Sequence, residues 1–374
     1  MKNKISYLRL DKNYHKIKKK LFFFLDRIGN KGDFILAKEV GIFENKLKKF
    51  LNSKYVASCA NGTDAIEISL KILGIKKNDE VITVANTWIS VANSIINIGA
   101  KPKFIDIDES LNMNILDFEK VISKKTKCII VTHLNGLPCK MATIIKICKK
   151  YNIKIIEDCS QAIGSKYKGS YVGNFGDIAT FSLHPTKNLG VFGDGGFIST
   201  NNKRYYNKFI TIRNNGLINR DNAKYIGRNS RLDAIQAIVG LLQLKNLKKC
   251  ISIRKANAKF YNKSLASLKN FIKTPNFSID KDVKHTFHRY VIICSERNKL
   301  FKYLIKNNIE VKIHYPLNIH EQISFKDYYT KKLINTDLLN KKIISLPIHE
   351  NLTLRDLRKI IKLIKNFYKK KIFS

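Results

Sequence analysis

The chain has 374 residues, enough for about two domains, and its 44% hydrophobic and 10% aromatic content excludes a disordered protein. Lysine and arginine number 70 against 29 acidic residues, and the resulting formal charge of +41 would suit a polyanion-binding protein. Because the basic residues are mostly lysine and are spread along the whole chain, we expect a solvated surface without a specific nucleic-acid site.

Seven cysteines at scattered positions, without a CxxC pair, predict neither a disulfide framework nor a metal site. An apolar run at 21–25 follows three lysines but ends at Asp26, too soon for a signal peptide. No run approaches the roughly 18 apolar residues that a membrane-spanning helix needs. We therefore expect a cytoplasmic protein without membrane association.

An arm and helices are predicted for the first fifty residues, where apolar residues recur at helical spacing: Phe43, Leu47, Phe50 and Leu51. Strands and helices then alternate. Buried strands are predicted at 80–84, 103–107, 127–131, 153–157 and 177–183, and helices at 64–73, 91–98 and 142–151. This alternation predicts a mainly parallel sheet covered by helices on both faces.

A long helix is predicted from Arg231 to about Leu265, with one apolar side made of Leu232, Ile235, Ile238, Val239 and Leu242. Beyond it, strands at 287–294 and 310–314 and helices at 295–309 and 354–370 predict a smaller α+β unit. Because no linker rich in proline or glycine intervenes, the long helix is expected to join the two parts. The predicted domains are 1–245, with an N-terminal arm, and 246–374.

A predicted strand ends in the carboxylates Glu157 and Asp158. Ligands of parallel α/β sheets bind at the carboxyl ends of the strands, which would place Asp158 beside a ligand. The alternative is that Asp158 only caps a following helix. Similarly, Asn61, Gly62 and Thr63 precede a predicted helix, where backbone N–H groups can bind a phosphate, unless Thr63 is merely the N-cap.

Lys187 lies in a loop between two predicted strands, the second at 197–200. The loop also contains the run Gly-Asp-Gly-Gly at 193–196. A single loop lysine is usually just solvated, and such a run usually just forms a turn. Together they also suit a lysine buried beside a cofactor, where burial and nearby charge lower its pKa and make it nucleophilic.

Taken in order, these motifs resemble the DegT–StrS family of pyridoxal-phosphate sugar aminotransferases. The matching segments are Asn61-Gly62-Thr63, Thr87-Trp88, Glu157-Asp158-x-x-Gln161-Ala162, Ser182-x-His184-Pro185-Thr186-Lys187-Asn188 and Asn229-Ser230-Arg231-Leu232-Asp233. Further matches extend from Gly32 to Pro347. The resemblance implies an α/β fold of type I, like aspartate aminotransferase, whose large domain holds a mixed, mainly parallel sheet and whose smaller C-terminal domain is α+β.

The resemblance implies a role for each motif. Lys187 would bind pyridoxal phosphate covalently and then move a proton, and Asp158 would keep the pyridine nitrogen protonated. Trp88, the only tryptophan, would stack on the ring unless it packs in the core, and Gln161 would lie near the ring hydroxyl. The protein would be an obligatory homodimer with shared active sites. In each site, Gly62, Thr63 and Ser182 of one subunit and Asn229 of its neighbour would bind the cofactor phosphate.

The implied reaction transfers an amino group from L-glutamate to a keto-sugar on a nucleoside diphosphate, for a surface polysaccharide or a glycosylated product. The side chains expected to contact the substrate are His184, Arg228, His314 and Tyr315, although His184 could equally pack. Arg228 stands where an aromatic residue is commoner in the family, and 213–216 contains an asparagine where histidine is usual, so a close relative's substrate cannot be carried over.

Three other functions are alternatives to the aminotransferase. Dehydratases and deoxygenases of the family carry histidine in place of the lysine, so Lys187 argues against them. A cysteine desulfurase or lyase of the same fold would need a reactive cysteine, and Cys159 is expected to be structural. The last is a basic regulatory protein that binds nucleic acid and has kept the fold.

Overall fold

A computed structural model describes residues 4–275, 282–328 and 332–372. The helices in these ranges are α1 (Leu10–Gly29), α2 (Lys38–Leu51), α3 (Gly62–Ile72), α4 (Ser90–Asn97), α5 (Phe118–Val121), α6 (Met141–Tyr151), α7 (Lys203–Ile212), α8 (Ala234–Leu265), α9 (Arg297–Lys306), α10 (Ile334–Asn340) and α11 (Leu354–Ile372). None of these helices has the length and apolar character needed to cross a membrane.

The strands in the same ranges form one large and two small sheets. They are β1 (Tyr55–Cys59), β2 (Glu80–Val84), β3 (Lys101–Ile105), β4 (Thr126–Thr132), β5 (Lys154–Asp158), β6 (Lys166–Tyr167), β7 (Ser170–Tyr171), β8 (Ile178–Ser182), β9 (Gly196–Thr200), β10 (Ile272–Lys273), β11 (Val283–Lys284), β12 (Tyr290–Cys294) and β13 (Ile343–Leu346). Most predicted strands are found within two or three residues of their expected bounds.

The large sheet has seven strands in the order β1-β9-β8-β5-β4-β2-β3. Its pairs are parallel except those made by β9, which runs antiparallel to both neighbours. The strand β9 can reverse because the loop from β8 carries no crossover helix. Gly196, its first residue, pairs with Ser182 on one side and Cys59 on the other. The mixed, mainly parallel sheet is the one predicted.

Helices cover both faces of this sheet, because successive residues of a strand point to opposite faces. On β9, Phe197 packs in a core with Phe43 of α2, whereas its neighbour Ile198 packs with Ile68 of α3. Phe43, Leu47 and Leu51 are fully buried, as their helical spacing predicts. Every strand of the sheet is therefore held between two apolar layers.

The smaller unit packs the antiparallel sheet β10-β12-β13 against α9, α11 and the second half of α8. Helix α8 passes through both units: its residues up to Ile251 belong to the first core and those from Ala258 to the second. The N-terminal arm also enters the second core, where Ile5 pairs with Ile309. The long helix therefore joins the units without a linker.

Two predicted elements differ from the structure. Helix α8 begins at Ala234 and not Arg231, because Asp233 bridges to Ile35 in an extended conformation; Ile235, expected on the apolar side, is 40% exposed. The predicted strand at 310–314 is wrong. This segment makes a single isolated bridge, from Lys312 to Ser345, and forms no strand.

Candidate active site

A cavity of about 530 Å³ lies between the carboxyl ends of the parallel strands and the 312–316 segment of the small unit. It is lined by ten of the twelve predicted site residues: Gly62, Thr63, Trp88, Asp158, Gln161, Ser182, His184, Lys187, His314 and Tyr315. Because these residues come from distant parts of the sequence, their convergence makes this cavity the candidate active site.

Lys187 lies in a turn after β8, where its N–H donates to the carbonyl of His184 (2.8 Å). Its side chain is half-buried and faces the cavity. Burial, with the positive charge of Arg289 next in size, lowers the pKa of Lys187 to about 8, although Asp158 acts in the opposite direction. Lys187 is therefore not a fully solvated loop lysine, and its lowered pKa suits the amine that the cofactor interpretation requires.

Asp158 is the last residue of β5 and is 5% exposed. The chain continues in a turn and not a helix, so the helix-cap alternative is wrong. Its Oδ1 accepts the N–H of Ser160 (3.0 Å), and its Oδ2 lies 3.4 Å from the Thr132 hydroxyl. These contacts fix the carboxylate at the wall of the cavity, where it can hold a proton on a ligand.

The neighbouring carboxylate, Glu157, is fully buried behind this wall. It accepts the Nε2–H of His133 (3.1 Å) and three backbone N–H groups, those of Gly173, Phe175 and Gly176. Burial alone would raise the pKa of Glu157, but these hydrogen bonds outweigh it and lower the pKa. Glu157 thus anchors the end of β5, a role that its sequence context does not reveal.

His133, Glu157 and Cys159 lie close enough together to hold a metal ion. However, Nδ1 of His133 already accepts the N–H of Cys139 (3.0 Å), and both oxygens of Glu157 accept hydrogen bonds. Burial also raises the pKa of Cys159, which disfavours the thiolate that binds metals. We interpret the group as a hydrogen-bonded network.

The N-terminus of α3 opens into the cavity. Its N-cap is Asn61, whose Oδ1 accepts the N–H of Asp64 (2.8 Å), so the alternative that Thr63 is the N-cap is wrong. Gly62 and Thr63 form the first turn and line the cavity with Ser182. A Cβ on Gly62 would lie 3.0 Å from that of Ser182, so glycine allows this close approach. Amides at a helix N-terminus beside a hydroxyl suit a phosphate.

Trp88 and Gln161 line the opening near Tyr315. Trp88 is 55% exposed, with its ring centroid 5.6 Å from that of Tyr315, so the core-packing alternative is wrong. Gln161 accepts the N–H of Asn135 at Oε1 (2.9 Å), which directs its Nε2 to the Tyr315 hydroxyl (3.2 Å). The cavity therefore offers an exposed aromatic face and an oriented amide donor.

The two histidines of the cavity differ. His184 is exposed, and its Nδ1 accepts hydrogen bonds from the hydroxyl and amide of Thr186 (2.9 and 3.4 Å), so it does not pack in the core. His314 lies 2.9 Å, Nδ1 to Oγ, from Ser345. Burial, with the charge of Arg289 next in size, lowers the pKa of His314 to about 2, so this ring is neutral.

Two predicted residues lie outside the cavity of their own chain. Arg228 is paired with Asp64 (3.0 Å) and Glu67 (2.9 Å) of α3. Asn229 is exposed in a loop whose backbone is bridged to Asn214. The structure thus does not bring them to the other site residues within one chain.

Two cavity cations were missed by the sequence analysis, Arg289 and Lys312. Both guanidinium Nη atoms of Arg289 donate to the Tyr315 hydroxyl (3.2 Å each), and the group lies 5.0 Å from the Tyr315 ring centroid. The ammonium of Lys312 is paired with Glu310 (3.0 Å). The only sequence signal for Arg289 is its position directly before the apolar strand β12.

Residues 16–365 match the model of the DegT/DnrJ/EryC1/StrS aminotransferase family. The chain belongs to this family. It is 34% identical to the dTDP-3-amino-3,6-dideoxy-alpha-D-galactopyranose transaminase of Aneurinibacillus thermoaerophilus, over 97% of this chain and 99% of the relative. It is also 34% identical to a "pleiotropic regulatory protein" of Geobacillus stearothermophilus, over 98% and 99%. The sequence-based prediction of a sugar aminotransferase is confirmed.

The predicted type I fold and the predicted cofactor, pyridoxal phosphate, are also confirmed. The crystal structure of NtdA from Bacillus subtilis with bound cofactor PMP superposes with a TM-score of 0.91 at 29% identity, covering 98% of this chain and 85% of that one. The enzyme uses pyridoxal phosphate, whose aminated form is PMP. The cavity fits this group, since it combines a half-buried lysine, a carboxylate and a helix N-terminus that a phosphate can approach closely.

The structure does not favour the desulfurase alternative. Six of the seven cysteines are buried, and Cys250 is half-buried. Burial raises the pKa of every one of them, so none has the thiolate character of a nucleophile.

Proposed function

We propose that the enzyme transfers an amino group from L-glutamate to a keto-sugar carried on a nucleoside diphosphate, in the cytoplasm, for a surface polysaccharide or a glycosylated product. The observation that carries this proposal is the position of Lys187 in the same cavity as Asp158 and the α3 N-terminus. The name of the Aneurinibacillus relative supports a nucleotide-linked sugar as substrate. The free, reduced cysteines are consistent with the cytoplasm.

When bound, pyridoxal phosphate supplies an electron-withdrawing ring. Asp158 would hold a proton on the pyridine nitrogen and so keep the ring cationic. Trp88 would cover one face of the ring, and Gly62 and Thr63 would bind the phosphate. The Nζ of Lys187 would take a proton from the substrate carbon and return it, which its lowered pKa makes feasible near neutral pH.

The test is spectroscopic. The holoenzyme should be yellow, and L-glutamate should bleach its visible band. The aminated enzyme should then regain the band with at least one member of a panel of keto-sugars linked to UDP, GDP or dTDP. A colourless protein that shifts DNA, or a band that L-glutamate leaves unchanged, would contradict the proposal.

The position of Asn229 supports an obligatory homodimer. Because its side chain is exposed and outside its own cavity, it is available to a neighbouring subunit. The same loop exposes Ile218 (59%) and Ile226 (97%), apolar side chains that a second chain would cover. We propose that Asn229 binds the cofactor phosphate of the partner.

An Asn229→Ala chain and a Lys187→Ala chain are expected to complement each other when mixed and refolded. In a two-fold dimer, one site of the mixed pair would be wild type and the other doubly damaged. Activity should recover to as much as about half that of a wild-type dimer. If exchanged dimers show no recovery although Asn229→Ala is impaired alone, Asn229 serves its own subunit.

A further inference from the structure

Arg289 and Tyr315 of the small unit form, with Gln161 of the large unit, a hydrogen-bonded cluster at the cavity. The Tyr315 hydroxyl oxygen receives N–H groups from Nε2 of Gln161 and from both Nη atoms of Arg289. A guanidinium has no acceptor, and the only acceptor atom of the Gln161 side chain already receives the N–H of Asn135. Among the described residues, no acceptor is hydrogen-bonded to the Tyr315 hydroxyl proton, which is therefore available to a ligand.

The cluster also carries an uncompensated positive charge. No carboxylate of the described residues lies within ion-pair distance of Arg289. The contrast with the other cavity cation is direct, since Lys312 has Glu310 at 3.0 Å. The positive charge of Arg289 also acts on the Lys187 amine, whose pKa it helps to lower.

A positively charged group with N–H donors to spare, beside a free O–H donor, selects an anionic ligand that accepts hydrogen bonds. We propose that Arg289, with the hydroxyl of Tyr315, binds a carboxylate of the substrate and so determines which substrates the enzyme accepts. This proposal rests on the proposed aminotransferase function and adds to it the chemical group that is recognised. Two of the five N–H groups of the Arg289 guanidinium are donated to Tyr315, so the others remain for a carboxylate.

The position favours a carboxylate over a phosphate. The phosphate has its own site at the N-terminus of α3 in the large unit, whereas Arg289 and Tyr315 belong to the small unit. In an amino-acid donor, the α-carboxylate is one bond from the carbon whose proton Lys187 moves. A carboxylated sugar is the other source of the same group, and the two sources can be separated by experiment.

The experiment uses holoenzyme that borohydride has reduced, so that ligands bind without turnover, and measures Kd by calorimetry. The probes are L-glutamate, UDP-glucuronate and, as the uncarboxylated counterpart, UDP-glucose. The variants are Arg289→Met and Arg289→Lys, with Lys312→Met as the matched control that removes a cavity charge already paired with Glu310. Retention of the cofactor and the circular dichroism spectrum report the fold of each variant.

Arg289→Met is expected to raise the Kd of a carboxylate probe about tenfold or more, because a charge-assisted hydrogen bond is lost. Arg289→Lys should give a smaller loss, and Lys312→Met a change within about twofold. A loss confined to L-glutamate assigns the site to the amino donor, and one confined to UDP-glucuronate assigns it to the sugar. No loss with either probe, or equal loss with UDP-glucose, overturns the proposal. Failure of L-glutamate to bleach the unreduced wild-type enzyme would instead overturn the proposed function.

Discussion

Replacing Lys187 by alanine is expected to abolish amino transfer while leaving the fold and the cofactor site intact. With its pKa lowered to about 8, Lys187 has on the order of a hundred times more neutral amine at pH 7 than an exposed lysine. No other lysine shares the turn after β8 opposite Asp158. The variant should still take up pyridoxal phosphate through the helix N-terminus, but borohydride should no longer fix it to the protein.

The matched control for this experiment is Lys312→Ala, which removes the other cavity lysine. Because Lys312 is held by Glu310, the control should retain a cofactor that borohydride can fix. Peptide mapping of the reduced protein locates the attachment. A Lys187→Ala variant that still forms a reducible covalent adduct would show that another lysine carries the cofactor.

Replacing Asp158 by asparagine is expected to slow the reaction by about a thousandfold or more while the cofactor stays bound. The amide can still accept the N–H of Ser160 at Oδ1, so the local turn should persist. It has no negative charge, however, and cannot hold a proton on the pyridine nitrogen. Single-turnover bleaching by L-glutamate measures the chemical step directly.

The control variant is Asp194→Asn, which changes the other acidic residue of the cavity wall. Asp194 is exposed and lies in the glycine-rich run after the lysine loop, so its loss should alter the rate by only a few-fold. Near-normal single-turnover rates in Asp158→Asn would remove the role given to that residue. The carboxylates at the end of β5 would then have only a structural role, through the hydrogen bonds of Glu157 to backbone amides.

Much of the large unit was predictable from the sequence. The apolar strand segments alternate with helices of crossover length, and parallel strands bring their carboxyl ends to one edge. Asp158 after β5 and Ser182 after β8 therefore lie where the pattern places them. The helix N-terminus with Gly62 follows from the same logic, because α3 follows directly on β1.

The contribution of the small unit could not be predicted in the same way. Gln161 and Tyr315 are in contact although 154 residues separate them, and no local pattern encodes such a contact. The alternating segment 310–314 has the period of a strand but makes a single isolated bridge. Arg289 looks like an ordinary charged residue beside a strand, and only the packing of the two units directs it into the cavity.

Gly196, the first residue of the antiparallel strand β9, leaves no room for a side chain beside the start of α3. A Cβ at this residue would lie 2.4 Å from the carbonyl atoms of Asn61 and 2.8 Å from the nitrogen of Gly62. The clearance between β9 and the start of α3 is thus smaller than one methyl group. Any side chain there would push the helix amides away from Ser182, so Gly196 sets the width of the proposed phosphate site although it does not line the cavity.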